Sequence, residues 1–70
     1  MKIKFMHKDI ESGTGACPAM YEAPGGFVFQ GKKVGADVYK QARDFAPDEE
    51  LVYVAQNVLD QYVEKVLESR

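Results

Sequence analysis

Ala19-Met20-Tyr21-Glu22-Ala23-Pro24-Gly25-Gly26-Phe27-Val28-Phe29-Gln30 is the stretch that decides the fold. Ala19, Tyr21 and Ala23 alternate with Met20 and Glu22, which is the period of a strand. Pro24-Gly25-Gly26 follows, with proline fixing φ and glycine supplying positive φ. Phe27-Val28-Phe29-Gln30 then reads as the returning strand of a hairpin.

Working outward, Gly31 interrupts the second strand, as a bulge or a further turn before Lys33-Val34. On the other side, Asp9–Gly15 reads as loop. Before it, Lys2–Lys8 alternates, with Ile3 and Phe5 on one face and Lys2 and Lys4 on the other, as in a half-buried strand. The first half of the chain is therefore read as three strands.

The second half turns helical. Asp37 is the expected N-cap of a helix whose Val38, Ala42 and Phe45 share a face, and Pro47 ends it. The last helix carries Val58, Leu59, Tyr62, Val63, Val66 and Leu67 as an apolar stripe. Asp60, Gln61, Glu64, Lys65 and Glu68 are read as facing water, and Asn57 as the cap. Between the helices, Val52-Tyr53-Val54 places three β-formers in a row. This favours a strand at Glu50–Ala55 over one long helix running from Asp48. In that strand Val52 and Val54 share one face, and Leu51 and Tyr53 the other. The expected class is α+β, a single layer of mainly antiparallel sheet in the order βββαβα, covered on one face by two helices.

Seventy residues are read as one domain, 1–70, and a domain of this size buries only roughly 60% of the surface its unfolded chain exposes. One cysteine and one histidine exclude an internal disulfide and a closed zinc site. Self-association as a homodimer is the remaining external source of stability, beside folding alone. The net charge of −2 argues against general nucleic-acid binding. Residues 1–35 carry a net +2 and residues 36–70 a net −4, an asymmetry that suits either head-to-tail self-pairing or ordinary solvated faces. MKIKFMHKDI has no apolar run long enough for a signal-peptide core, and no stretch spans a membrane. With a lone cysteine the expected location is cytoplasmic.

No catalytic, cofactor-binding or metal-ligating signature emerges. Ser12-Gly13-Thr14-Gly15 superficially resembles a phosphate-cradling loop, but a cysteine, a proline and a strand follow where a helix is needed. Cys17 is the candidate reactive thiol, with His7 as the base if the first two strands pair. Against this stands the tendency of free cysteine to act as a small buried apolar residue. Lys2, Lys4, Lys32 and Lys33 beside Tyr21, Phe27 and Phe29 offer a sheet for stacking single-stranded bases, provided those phenylalanines face solvent. The candidate partner-binding residues are Tyr21, Gly25, Gly26, Gln30, Lys32 and Lys33. In this reading Tyr21, Phe27 and Gln30 flank a hairpin tip, and the lysine pair steers an acidic partner.

The run Gly15-x-Cys17-Pro18-Ala19-x-Tyr21, then Val28-x-Gln30-Gly31-Lys32-Lys33-Val34, then Asp48-Glu49-Glu50 before Val52-Tyr53-Val54, resembles a group of tiny proteins of actinomycete bacteria. Their genes often lie beside helix-turn-helix transcriptional regulators. The resemblance covers roughly residues 13–55. It implies a regulatory or partner-binding accessory protein rather than an enzyme, and it carries over no site residue. The expected function is thus a small non-enzymatic protein-binding or regulatory module. The alternatives are a thiol-dependent redox or stress protein acting through Cys17 and a single-stranded nucleic-acid binder.

Overall fold

A computed structural model describes residues 1–11 and 17–69. The Ser12-Gly13-Thr14-Gly15 loop lies outside the described residues. The fold is α+β. Strands β1 (Lys4–Lys8), β2 (Ala19–Ala23) and β3 (Gly26–Gln30) form an antiparallel sheet in that spatial order. The hairpin forms as its residues dictate. Ala23 pairs with Gly26 across a Pro24-Gly25 turn, and Gly25 takes φ +76°, which a side chain would resist.

The single layer expected from the sequence is replaced by two sheets. β3 stops at Gln30, and after Gly31 the chain enters β4 (Lys32–Lys33), which pairs antiparallel with β5 (Val52–Tyr53). Gly31 is the corner between the sheets. A Cβ there would lie 2.6 Å from the Tyr53 carbonyl oxygen and 2.9 Å from Val52 Cβ, so β5 crosses where only glycine leaves room. The fifth strand exists where Val52 and Tyr53 predict it, but it is shorter than Glu50–Ala55, and Val52 and Tyr53 are both exposed. The single long helix does not form.

The first helix is also shorter than its apolar spacing suggests. α1 spans Ala36–Tyr39 and starts after Gly35, not Asp37. Turns replace the helix well before Pro47, and Asp44 adopts φ 50°. One turn of helix is a nucleus without propagation, so Val38, Ala42 and Phe45 meet through the turns, where they line an open groove with Leu51. Tyr39 contacts the Phe45 ring edge-to-face at 5.4 Å.

α2 spans Gln56–Glu68 and follows Ala55 as N-cap, with no side-chain cap. Asn57, expected as the cap, instead sits in the first turn and binds the chain after β1. Its Nδ2 donates to Asp9 Oδ1 at 2.7 Å, and its Oδ1 accepts from the Ile10 amide at 3.2 Å.

α2 docks by a face the sequence reading assigned to water. Val58 is fully buried, yet Gln61 Nε2 donates to the Lys8 carbonyl at 2.9 Å and Lys65 Nζ to the Met6 carbonyl at 3.2 Å. β1 is an edge strand, so its outward carbonyls need donors from outside the sheet, and α2 supplies them. Of the expected stripe, only Val58 enters the core. Leu59, Val63, Val66 and Leu67 are exposed, so the apolar stripe as a whole does not pack on the sheet.

A bulge in β1 decides which side chains meet α2. Phe5 pairs with Tyr21 but His7 pairs with Met20, leaving Met6 as the extra residue. Unbroken alternation would put His7 on the Phe5 face; the bulge turns it to the opposite one. There its Nε2 bonds the Val58 carbonyl oxygen at 2.7 Å and its Nδ1 lies 3.1 Å from Lys65 Nζ. The Val58 carbonyl only accepts, so Nε2 carries the proton and Nδ1 accepts from the lysine ammonium. Among the described residues, Cys17, Pro18, Ala19, Met20 and Val58 are buried, joined by His7 and Asp9.

Candidate functional site

Residues paired across neighbouring strands share a face. Phe5, Tyr21 and Val28 are such a row, so they lie on the side of the first sheet turned away from His7, Met20 and α2. Phe5 is 56% exposed, and its ring meets Tyr21 edge-to-face at 5.8 Å. Ile3, two residues earlier, is exposed as well.

Tyr21 is held in place by its hydroxyl. It donates to Gln30 Oε1 at 2.7 Å, and Gln30 Nε2 donates to the Cys17 carbonyl at 2.8 Å. This chain of bonds crosses from β2 to β3 and returns to the residue leading into β2. It fixes the Tyr21 ring without burying it, and it selects the orientation of the Gln30 amide. Beside it, Cys17, Pro18, Gln30, Gly31 and Lys32 line a small hollow.

The six candidate partner-binding residues therefore separate into two groups. Tyr21, Gln30 and Lys32 come together, with Lys33 next in β4 and both lysines exposed. Gly25 and Gly26 stand at the turn, at the other end of β3 from Gln30, about 14 Å away along the strand. Gln30 thus does not flank the tip. Sequence reasoning missed Phe5 and Val28 as members of the row, although the alternation of Ile3 and Phe5 was the signal for it.

Cys17 is 6% exposed. The first two strands do pair, and both His7 ring nitrogens are engaged by α2. Phe27 and Phe29 belong to the α2 side of the sheet. Phe27 packs edge-to-face on Tyr62 at 5.1 Å, and Phe29 lines an apolar depression with Val52, Val54 and Leu59. On that face Phe27 stays 44% exposed and Phe29 is half-buried. Among the described residues no cluster of His, Cys, Asp or Glu is placed to hold a metal ion, and no helix is long and apolar enough to cross a membrane.

One further polar pair shapes the surface. The Tyr39 hydroxyl donates to Glu50 Oε2 at 2.9 Å, and that bond to a carboxylate raises the phenol above its ordinary value of 10.0. No protein-family model, curated protein or solved structure matches the chain.

Proposed function

We propose that this chain is a small non-enzymatic accessory protein that binds a protein partner, in a regulatory role and in the cytoplasm, and that it self-associates as a homodimer. The resemblance to actinomycete proteins encoded beside helix-turn-helix regulators supports the regulatory role. The partner site is the Phe5–Tyr21 face of the first sheet: Phe5, Tyr21 and Val28 supply apolar contact, Gln30 a polar anchor, and Lys32-Lys33 steering toward an acidic patch.

The observation that carries this reading is the Tyr21–Gln30–Cys17 hydrogen-bond chain beside the exposed Phe5 ring. A tyrosine held in one orientation before binding loses little side-chain freedom on docking, and tyrosines are enriched among the residues that dominate interfaces. Such an arrangement suits recognition.

Affinity capture from native extract tests it. A specific partner retained by the wild type and lost by a folded Tyr21→Ala/Lys33→Glu variant is the expected result. Equal capture by both removes this face from consideration.

A further inference from the structure

The geometry points to the uncovered stripe of α2 as the surface on which a second copy of this chain docks, the two helices antiparallel about Val63. This rests on the proposed homodimer and names its interface, which is separate from the Phe5–Tyr21–Val28 face.

The molecule exposes too much surface for its mass. Its accessible area is 5832 Å², whereas a folded monomer of 7.8 kDa is expected to show about 4,400 Å². Its radius of gyration is 13.7 Å against about 11 Å for a compact chain of this length. The excess, about 1,400 Å², exceeds the roughly 800 Å² that each partner loses in a standard interface and falls in the range of permanent dimers.

Four of the exposed large apolar residues share one side of α2. Leu59, Val63, Val66 and Leu67 keep 51%, 52%, 42% and 57% of their surface exposed. Leu59, Val63 and Leu67 are spaced four residues apart, which makes them one ridge of the helix. The ridge is also symmetric about its centre. A two-fold axis at Val63 sets Val63 against its own copy and each Leu59 against the other copy's Leu67. Leu59 borders the depression shared with Phe29, Val52 and Val54. The same operation therefore delivers Leu67 of the second copy to that depression, and the reverse contact forms at once. A stripe that fits itself in this way commits to a second copy rather than to an unrelated helix.

Sedimentation equilibrium of the wild-type chain, from about 1 to 500 μM, should give twice the 7.8 kDa mass. Val63→Glu should weaken association by roughly 1,000-fold, because a two-fold axis counts a central residue twice. Ile10→Glu, at an exposed residue away from the stripe, should leave the mass unchanged. Val63→Cys covers the case in which the charged variant fails to fold. Under glutathione redox buffer it should form a covalent dimer much faster than Ile10→Cys, since the axis brings the two Cβ atoms together. A wild type that stays monomeric with native circular dichroism overturns the proposal and leaves the stripe to a different protein. A dimer indifferent to Val63→Glu, or equal cross-linking of the two cysteine variants, overturns it as well. Tyr21→Ala/Lys33→Glu should leave the dimer intact, so loss of partner capture and loss of self-association are read separately.

Discussion

Replacing Gly31 with alanine would put a methyl carbon 2.6 Å from the Tyr53 carbonyl oxygen, 2.9 Å from Val52 Cβ and 3.0 Å from Val52 Cγ2. The first of these is backbone and cannot swing aside. To restore ordinary contact near 3.4 Å, β5 must retreat by about 0.8 Å from the corner between the sheets. Forcing a methyl into a filled site costs about 1–3 kcal/mol. Here the cost falls on a ladder of only two residue pairs, Lys32 with Tyr53 and Lys33 with Val52. We place the loss at about 2–3 kcal/mol, with β4 and β5 separating rather than straining. A chain of this length has a small margin to draw on, about 0.05–0.15 kcal/mol per residue, and each kilocalorie lost lowers Tm by about 4–8 °C. Gly26→Ala is the matched control. Nothing lies within 4 Å of its Cβ position, so the change should be neutral or stabilising by up to about 1 kcal/mol. Urea unfolding followed by circular dichroism compares the two. Equal midpoints would refute the account of Gly31 as a steric corner.

Gly25→Ala should cost about 1–2 kcal/mol in the same assay, through the positive φ of the turn rather than through a clash. Tyr39 should ionise above the ordinary tyrosine value of 10.0, and Glu50→Gln should lower its midpoint, both read by absorbance near 295 nm. Because the folded value is raised, the stability from that hydrogen bond is fully present below the unfolded value. It is lost as pH rises through the folded one. His7→Leu removes the partner of the Val58 carbonyl and should destabilise the fold by about 1–3 kcal/mol; nitrogen chemical shifts of the wild type should show the proton on Nε2.

The hairpin was legible because each of its signals is local. Alternation in Ala19–Ala23, Pro24-Gly25 at the turn and the aromatic return strand all depend on neighbours along the chain. Val52 and Tyr53 likewise declared a strand against a competing helical stripe. What stayed hidden depends on distant partners. Gln61 and Lys65 look like a solvated face, and nothing nearby in sequence announces that Lys8 and Met6 offer them carbonyls. The bulge at Met6 carries no glycine to mark it, so the direction of His7 was not readable from alternation. Gly31 was visible as an interruption, but its role as a corner needs β5, which arrives about twenty residues later. Tyr21, Gln30 and the lysines were picked out as a group. Their separation from Gly25-Gly26 follows from register, which spacing alone left open.

The side-chain donors that α2 lends to β1 also act as a guard. An edge strand with open carbonyls is a template on which a strand of another molecule can grow, and repeated growth of that kind builds cross-β fibrils. Gln61 and Lys65 occupy the Lys8 and Met6 carbonyls, and a cation sits beside the edge where an incoming backbone would have to align. Proteolysis between Tyr53 and Gln56 would remove this guard while leaving the three strands of the first sheet intact in sequence. The fragment that remains has every local signal for strand pairing and lacks the element that occupies the β1 carbonyls.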